Sequence, residues 1–569
     1  MVIGKKLKEL PVSVGVDTEK CVNCHACISA CPVKYCNDGS DDYVSVNPFM
    51  CIGCGNCITH CTHEARFWVD DFDALIEDLA SGQKVIAIMA PSAASSFPSQ
   101  FLNLNGWLRD LGVEEVFDVS FGAELTVKSY VEYINNTKAK TVISQPCPAI
   151  VTYIEMYLPE LIPYLAPVDS PMLHTMKMIR KYYPQFAEYK IAAISPCLAK
   201  KREFHETGLG DYNIGFKSVQ NYLYRSGTDL SAYPEEPYMN PPAERAVGFS
   251  SPGGLLKTAE RWIPGISDLS RKIEGPDIIY NYLDKLIGSI DSGTAPALID
   301  CLNCTHGCNG GPLTITEERA LDDIEKAVAS RLHQAVASFE GSKGGEQSEN
   351  APPQKIDTTL EKFWQEGDYN RRYRDLSINN RIIVPSDEEL NKIYKLMRKT
   401  SKSDFYNCSS CGYGTCQNMA IAIYNGLNRP ENCHFYLAEE AKMKTAAVSE
   451  NEKRLRTILS TTNAGFCLAD AEFRMIVVNN SFCRIFGMQR EKLIGSTILK
   501  KQLERCTNGN GLTSEIRVCS PEGEISYYQI IANPYFDENK DLVGYFALIV
   551  DISKYRKETN AGPASTRAS

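Results

Sequence analysis

The chain has 569 residues and should fold into several domains, because one domain usually holds about 100–200 residues. Its composition, 43% hydrophobic and 23% charged, is that of a globular protein, and its net charge of −10 excludes the basic footprint of a nucleic-acid-binding protein. The N-terminal MVIGKKLKEL lacks the apolar core of a secretory signal, and no apolar run approaches the ~18 residues of a membrane span. We therefore expect a cytoplasmic protein without membrane contact.

Cysteine is the most informative residue type. The chain has 22 cysteines, and many of them lie in short-spaced groups. A small secreted protein would use such cysteines for disulfides, whereas clustered thiols in a reducing compartment are typical of metal ligands. The spacing within each group then distinguishes iron–sulfur clusters from zinc.

Residues 1–78 contain the spacing C-x2-C-x2-C-x3-C twice. In two-cluster ferredoxins the fourth cysteine of each run binds the cluster of the other run. The resemblance to bacterial ferredoxins implies a ferredoxin-like domain with two 4Fe–4S clusters, and a pair of zinc sites is the alternative. One cluster would be held by Cys21, Cys24, Cys27 and Cys61, and the other by Cys51, Cys54, Cys57 and Cys31. Cys36 lies between the runs and belongs to neither set.

Residues 79–335 alternate short apolar runs with helical patterns, which predicts an α/β domain with largely parallel sheets. The predicted strands lie in KVIAIMAPSAA, KTVISQPCPAI, KIAAISPCLAKK, RAVGFSSPGG and PALIDCLNC. Sites in open α/β sheets lie beyond the carboxyl ends of the strands. Cys147, Cys197, Cys304 and the turn at Ser92 each follow such a strand, so we expect them to meet in one pocket.

Three of these segments resemble the signature motifs of iron-only (FeFe) hydrogenases. The family patterns TSCCP, MPCTxKxxE and MACxGGCxxGG read here as SQPCP, SPCLAKKRE and LNCTHGCNGG, the last with a spacer one residue shorter. The resemblance implies an H-cluster, which is a 4Fe–4S cubane joined to a di-iron unit that carries carbonyl, cyanide and a bridging dithiolate. The implied cubane ligands are Cys147, Cys197, Cys304 and Cys308, with Cys308 as the bridge and Cys301 as an alternative ligand.

The resemblance also implies roles for side chains around the H-cluster. Lys200 would place a cation beside one cyanide, Glu203 would hold Lys200, and Ser92 would donate to the other cyanide. A solvated lysine at the start of a helix is the alternative for Lys200. Three further positions are expected to flank the cofactor: Ser195, Met172 and Leu302. The first and last of these stand where the family has methionines.

Pro146 is the main departure from the family pattern. Fast members carry a cysteine here that passes protons to and from the amine of the dithiolate, and proline has no group that titrates. The glutamate pair that usually follows FGAELT is also missing. Ser129 and Tyr130 stand at about those positions, and Glu132 is the one nearby carboxylate. We therefore expect slow, reversible oxidation of H2 to protons and electrons.

Residues 336–358 include the stretch EGSKGGEQSENAPPQK, whose composition predicts a flexible linker. The next segment, 359–434, ends in the spacing C-x2-C-x4-C-x16-C. This resembles a small helical 4Fe–4S domain of anaerobic redox proteins, with zinc as the alternative. The implied ligands are Cys408, Cys411, Cys416 and Cys433.

Residues 435–454 predict a signalling helix with a heptad seam, which favours a parallel homodimer. The seam consists of Leu437, Ala441, Lys444, Val448, Asn451, Leu455 and Ile458. An amphipathic helix packed on its own domain is the alternative. Residues 455–556 resemble a PAS sensor domain, and the polar tail 557–569 is expected to be disordered. The last of the eight histidines is His434, which excludes a haem held by a PAS histidine.

The leading hypothesis is a sensory FeFe hydrogenase, matured by the hydrogenase maturation proteins. It would relay its redox state through the iron–sulfur clusters to the PAS domain and to a separate kinase or phosphatase. Two alternatives stay open. One is a catalytic hydrogenase that exchanges electrons with a ferredoxin-like partner, and the other is a non-enzymatic, Narf-like iron–sulfur protein without the di-iron unit.

Overall fold

The computed structural model describes residues 7–340, 356–506, 511–519 and 523–559. The chain divides into two compact units, Met1–Leu437 and Ala438–Ser569. In the part of the chain that is described, no helix combines the length and the apolar character needed to cross a bilayer.

The N-terminal domain of the first unit is built from two short antiparallel strand pairs and two cysteine-bearing helices. Its elements are β1 (Val14–Val16), α1 (Ala26–Ala30), β2 (Asn37–Asp38), β3 (Ser45–Val46), α2 (Asn56–Thr59) and β4 (Arg66–Trp68). β1 pairs with β4, and β2 pairs with β3. Cys27 lies in α1 and Cys57 in α2, and the two helices contact each other. This is the ferredoxin-like domain that the cysteine spacing predicts.

The central domain holds two parallel sheets surrounded by helices. Its elements are α3 (Phe72–Ala80), β5 (Val85–Met89), α4 (Ala93–Ser96), α5 (Phe101–Asp110), β6 (Val116–Asp118), α6 (Val119–Thr137), β7 (Val142–Ile143), α7 (Pro148–Tyr157), α8 (Pro171–Tyr182), β8 (Lys190–Ser195), α9 (Lys200–Thr207), β9 (Tyr212–Gly215), α10 (Phe216–Ser226), α11 (Gly254–Ala259), β10 (Ser270–Glu274), α12 (Pro276–Asp291), β11 (Leu298–Leu302) and α13 (Leu321–Glu340). The strand orders are β6-β5-β8-β9 and β10-β11-β7.

The residue pattern of β5 explains why it forms the middle of the larger sheet. All five of its residues are buried, as expected for a parallel strand covered by helices on both faces. Met89 pairs with Asp118 of β6 on one side and with Ile194 of β8 on the other. The three strands therefore end together, at the edge where Ser92 and Cys197 follow.

One predicted strand is wrong. The run RAVGFSSPGG forms a 3-10 turn at Arg245–Gly248, followed by α11. The carboxylate of Glu124, on α6, accepts hydrogen bonds from the backbone N–H groups of Glu244 and Ala246 at 3.0 and 2.9 Å. A buried side chain thus satisfies the backbone donors that a sheet would otherwise take.

Residues 356–376 pack on the central domain, whereas the sequence placed them partly in the linker and partly in the small domain. Helix α14 (Ile356–Phe363) buries Ile356 and Leu360 in the same core as β5. The predicted linker 336–358 is shorter at both ends, because α13 runs to Glu340 and α14 begins at Ile356. Residues 341–355 lie outside the described residues. We call residues 364–380 the strap.

The small domain contains α15 (Asp387–Leu396) and α16 (Cys416–Tyr424), and it packs on the N-terminal domain. Tyr413 stacks on Tyr35 with ring centroids 5.9 Å apart. Gly412 has φ 84°, and a Cβ there would lie 2.9 Å from Cβ of Ile28. Only glycine allows this backbone conformation and this close approach to α1.

Helix α17 (His434–Thr461) is longer than the predicted signalling helix and precedes the PAS domain. The elements that follow are β12 (Gly465–Asp470), β13 (Met475–Val478), α18 (Asn480–Phe486), α19 (Arg490–Leu493), α20 (Lys500–Leu503), β14 (Leu512–Cys519), β15 (Ile525–Phe536), β16 (Leu542–Asp551) and α21 (Ser553–Thr559). The antiparallel sheet has the order β13-β12-β16-β15-β14. The predicted PAS fold is confirmed, while residues 560–569 of the predicted disordered tail lie outside the described residues.

Candidate metal centre

Four cysteines from three distant segments line one cavity in the central domain: Cys147, Cys197, Cys304 and Cys308. Cys147 precedes α7 just after β7, and Cys197 follows β8. Cys304 and Cys308 follow β11, which pairs with β7 in the smaller sheet. The cavity therefore lies where the carboxyl ends of the two sheets meet, as the sequence predicts.

Burial makes these thiols harder to deprotonate than a thiol in water. It raises the pKa of Cys197 to about 11 and the pKa of Cys308 to about 12, and the neighbouring cysteines add to both shifts. The pKa of Cys304 is raised for the same reasons. Buried thiolates are stable only beside a cation, which cluster iron supplies when it binds them. The donor set thus fits an iron–sulfur cluster.

Lys200 opens helix α9 and lines the same cavity. Its side chain is only 6% exposed, which contradicts the alternative of a solvated lysine. Its Nζ donates to Glu203 Oε2 at 2.6 Å and to Ser170 Oγ at 3.0 Å. A buried ammonium at the wall of the cavity fits an anionic ligand such as cyanide.

Glu203 has a second partner that sequence reasoning missed. Arg371, in the strap, donates from Nη1 to Glu203 Oε1 at 2.6 Å. Burial alone would raise the pKa of Glu203, but the charges of Lys200 and Arg371 together lower it. Nothing in the run NRRYR distinguishes Arg371 from its neighbours, so this partner had no signal in the sequence.

Four more predicted residues line the cavity, and one does not. Ser92, Pro146, Met172 and Leu302 are at its wall. Among the described residues the buried Oγ of Ser92 has no hydrogen-bond partner, as expected if it donates to a bound ligand. Ser195 is buried behind the wall, where its Oγ accepts a hydrogen bond from the backbone N–H of Cys197 at 3.3 Å.

The groups near Pro146 make other contacts. Ser129 Oγ donates to the backbone carbonyl of Leu125 and lies 3.0 Å from Nε2 of His174. Burial lowers the pKa of His174 to about 3, so this imidazole is neutral. The hydroxyl of Tyr130 accepts from the backbone N–H of Gln145. These contacts do not form a chain of proton carriers that leads from Pro146.

Cys301 does not line the cavity described above. It is fully buried, and its Sγ donates to the backbone carbonyl of Ser144 at 3.5 Å. The geometry therefore favours Cys304 and Cys308 over Cys301 as cluster ligands.

In the N-terminal domain, buried polar groups surround the cysteines of the two predicted clusters. The Sγ atoms of Cys36 and Cys31 are 3.7 Å apart. A hydrogen bond from Cys36 lowers the pKa of Cys51 to about 6. Arg66 donates from Nη2 to Sγ of Cys27 at 3.2 Å. These donors stabilise thiolates, which cluster iron requires.

Arg202, on α9, reaches from the central domain toward the same cysteines. Its side chain is buried, and its Nε and Nη1 have no partner among the described residues. Burial lowers the pKa of Arg202, which Cys51 partly offsets. A buried cation with unused donors beside these thiols fits a cluster that carries negative charge.

Tyr280 lies between this part of the N-terminal domain and the cavity. Burial raises its pKa, and the charges of Cys54 and Cys147 add to the effect. Its hydroxyl donates to Asn303 Oδ1 at 2.5 Å, and Asn303 Nδ2 donates to Cys304 Sγ at 3.6 Å. These two hydrogen bonds link Tyr280 to Cys304 through Asn303.

The third cysteine group lines a cavity of its own in the small domain. Its members are Cys408, Cys411, Cys416 and Cys433. Burial raises the pKa of Cys411, and the charges of Cys433 and Cys408 add to the effect. The cysteines that the spacing assigns to one cluster thus lie together.

Four segments of the chain match known protein families. Residues 83–312 match the family described as iron only hydrogenase large subunit, C-terminal domain. Residues 13–62 match a 4Fe-4S dicluster domain, residues 406–435 a putative Fe-S cluster and residues 463–554 a PAS domain. These matches confirm the predicted domain types and the cofactors that such domains hold, an H-cluster and three further 4Fe–4S clusters. The ligand assigned to each position stays a prediction.

Curated relatives cover parts of the chain at low identity. The NADP-reducing hydrogenase subunit HndD of Solidesulfovibrio fructosivorans is 23% identical over 45% of this chain, which spans 52% of that protein. The periplasmic Fe hydrogenase large subunit of Nitratidesulfovibrio vulgaris is 25% identical over 58% of this chain and 93% of its own length. The nuclear prelamin A recognition factor of Rattus norvegicus is 24% identical over 28% of this chain and 41% of its own length.

Proposed function

We propose that this hydrogenase-related protein is a sensory FeFe hydrogenase, which oxidises H2 slowly and reversibly (H2 = 2 H+ + 2 e−) and relays the electrons to its PAS half. One observation carries the proposal. Four cysteines, a buried lysine and a serine hydroxyl without a hydrogen-bond partner in the described part of the chain line a single cavity, which has a proline at the proton-carrying position. When bound there, an H-cluster supplies the redox chemistry of H2.

The residues that line the cavity would bind the H-cluster and orient it. Cys147, Cys197, Cys304 and Cys308 would hold the cubane of an H-cluster, and Cys308 would also hold the di-iron unit. Lys200 Nζ would compensate the charge of one cyanide, and Ser92 Oγ would donate to the other. The apolar side chains of Met172 and Leu302 exclude water from the wall that they cover, which strengthens both polar contacts.

Proton transfer limits the rate. Pro146 has neither a titratable group nor an N–H, so it can neither hold a proton nor pass one on. Protons must then leave by a slower route. A slow site is compatible with detection of H2, because a sensor depends on the fraction of the molecules that are reduced and not on the number of turnovers.

The packing of the domains supports a short path for electrons. Gly55, next to Cys54, packs so closely on the loop after Cys308 that a Cβ there would lie 2.6 Å from Cβ of Pro312. The N-terminal domain also contacts the small domain, where Tyr35 stacks on Tyr413. We infer the order H-cluster, the two N-terminal clusters, then the small-domain cluster, because each neighbouring pair of domains is in direct contact.

The small-domain cluster is placed to affect the signalling helix. Cys433 directly precedes α17, so a change at this cluster acts on the first turn of that helix. Leu455 and Ile458 of the heptad seam are 62% and 61% exposed. Their exposure and spacing favour a parallel homodimer. The signal would pass from this dimer to a separate kinase or phosphatase in the cytoplasm.

Infrared spectroscopy of the protein after maturation tests the proposal. Carbonyl and cyanide bands that change when H2 replaces N2 are the expected result. A protein that binds its 4Fe–4S clusters but shows no such bands would be a non-enzymatic protein of the Narf-like kind. The similarity to the rat nuclear prelamin A recognition factor favours that alternative, whereas the buried Lys200–Glu203 pair favours a di-iron unit.

A further inference from the structure

Lys200, at the wall of the cavity, forms a buried triad with Glu203 and Arg371. Each oxygen of the Glu203 carboxylate accepts from one cation, Lys200 Nζ at 2.6 Å on Oε2 and Arg371 Nη1 at 2.6 Å on Oε1. The three side chains are 6%, 0% and 4% exposed. Ser170 Oγ accepts from Lys200 at 3.0 Å and donates to Glu203 at 2.8 Å, which closes the network.

The triad carries one net positive charge. Lys200 and Glu203 alone would form a neutral pair, and the ammonium would be compensated inside the protein. With Arg371 on the second carboxylate oxygen, Glu203 shares its negative charge between two cations. Glu206 lies 3.4 Å from Arg371 Nη2, but its own charge is shared with Arg374 at 3.2 Å. The charge of Lys200 is then available to an anion in the cavity, because the burial of all three groups prevents water from screening it.

Arg371 is held in place by backbone contacts. Its N–H donates to the carbonyl of Pro167 at 3.1 Å, and the carbonyl of Tyr369 accepts from the N–H of Asp169 at 2.8 Å. The strap therefore forms an antiparallel bridge, Asn370 with Val168, beside the segment that leads into Ser170. Pro167, which accepts from the backbone of Arg371, and Ser170, which accepts from Lys200, thus lie on one short stretch of chain.

The strap also contacts the N-terminal domain, which would carry the electron relay. Beyond Arg371, the N–H of Leu376 donates to the carbonyl of Glu155 at 2.8 Å. Further on, Asn379 Nδ2 donates to the carbonyls of Lys8 and Phe49 at 2.9 and 3.0 Å. One continuous segment thus connects the wall of the cavity with the N-terminal domain.

We propose that Arg371 is a positioning residue for Lys200, and that through it the strap is energetically coupled to the anion held in the cavity. The proposal rests on the proposed function only in taking that anion to be a cyanide of the di-iron unit. Coupling is reciprocal, so a bound di-iron unit should stabilise the strap by as much as the strap stabilises its binding.

Three variants of the matured full-length protein test the positioning role. Arg371→Met removes the charge, Arg371→Lys keeps it, and Arg372→Met is the control. Arg372 is next to Arg371 on the same strap, but its side chain is exposed. The measurements are the cyanide stretching frequencies and the di-iron content per chain.

The expected result is a shift of the cyanide bands and a lower di-iron content in Arg371→Met only. Arg371→Lys should keep the cyanide bands at their wild-type positions, because it keeps the positive charge. A merely structural role of Arg371 would not require the band positions to follow the charge. Unshifted bands in a folded Arg371→Met protein would overturn the inference. A wild-type protein without carbonyl or cyanide bands would instead overturn the proposed function.

Hydrogen exchange of the wild-type strap gives a second test that does not depend on the folding of the variants. The backbone N–H groups of Arg371 and Leu376 should exchange several-fold more slowly in protein that carries the di-iron unit than in protein with 4Fe–4S clusters alone. Equal exchange in the two preparations would contradict the coupling.

Discussion

The guanidinium of Arg202 lies against Gly53 so closely that a Cβ on this glycine would be 2.8 Å from Nε of Arg202. Gly53 is in the turn between Cys51 and Cys54 and has φ 71°, which also favours glycine. A buried cation from the central domain is thus held against the cluster-binding turn of the N-terminal domain.

Replacement of Arg202 should therefore change a reduction potential. In Arg202→Met the reduced, more negative cluster loses a nearby positive charge, so we expect its potential to fall by tens of millivolts. Redox titration followed by electron paramagnetic resonance measures this shift. The control is Lys201→Met, since Lys201 pairs with Asp71 at 2.7 Å instead. Equal potentials in Arg202→Met and wild type would contradict the assigned role.

Pro146→Cys should raise the rate of H2 turnover. A thiol at this wall of the cavity can hold and release a proton, and such groups contribute roughly 10²–10⁴-fold to catalysis. Because the usual glutamate pair is also missing, we expect only part of this gain, about tenfold. H2 evolution from a strong reductant measures it. Pro146→Ser serves as the control, because a hydroxyl does not titrate near neutral pH. An unchanged rate in Pro146→Cys would favour another limiting step.

Cys308→Ser should lose the di-iron unit and keep the clusters of the N-terminal domain, because Cys308 is assigned as the bridge. Iron analysis and infrared spectra of the matured protein measure both. Cys301→Ser is the matched control, since Cys301 Sγ bonds to the carbonyl of Ser144 and lies off the cavity wall. Intact carbonyl bands in Cys308→Ser, together with loss of the bands in Cys301→Ser, would show that Cys301 and not Cys308 is the bridging ligand.

Dimerisation should depend on the exposed seam of α17. Val448 is 67% and Leu455 is 62% exposed, so a glutamate at each position would place like charges across a parallel interface. We expect the double variant Val448→Glu/Leu455→Glu to be monomeric in sedimentation, while Ala446→Glu, off the seam, stays dimeric. Truncation after Cys433 should also give a monomer that retains H2 chemistry. A wild-type monomer would contradict the relay through a dimer.

Glu155 should make stability depend on pH. Burial and the nearby Glu206 raise the pKa of Glu155 from 4.5 to about 7. The folded protein therefore binds this proton more tightly than the unfolded chain, and the free energy of unfolding should fall as pH rises from about 4.5 to about 7, by up to about 3 kcal/mol.

Urea unfolding of Glu155→Gln and wild type at pH 5 and pH 8 measures this effect. The variant should gain stability relative to wild type at pH 8 and much less at pH 5. Glu160→Gln, an exposed change just beyond α7, should differ from wild type equally at both pH values. A constant difference for Glu155→Gln would refute the shift.

The sequence predicted those parts of the site that depend on local pattern. The apolar run before Pro196 and Cys197 becomes the parallel strand β8, which is buried from Ile191 to Ser195, and the loop after it reaches the cavity. The motif resemblance assigned Lys200 and Glu203, and the structure places Lys200 at the cavity wall with Glu203 bonded to it from behind. The strand with its loop and the spacing from Lys200 to Glu203 each span only a few residues, so a local sequence pattern is enough to predict them.

The parts that were missed depend on contacts between distant segments. Arg371 reaches Glu203 across 168 positions, and no local property of the strap indicates this contact. The run RAVG is apolar enough for a strand, but Glu124 fixes its backbone in a turn. The close approach of Gly412 to α1 likewise depends on the surfaces of the small domain and the N-terminal domain, which form only when both domains have folded.

The two ends of the segment 341–355 are anchored in one core. Leu332 and Phe339 of α13 pack on the same cluster as Ile356 and Leu360 of α14. A cut in this segment would therefore leave two fragments that remain associated through their packing. Foreign sequence such as an affinity tag or a fluorescent protein should be accepted there, with hydrogen chemistry and output both retained.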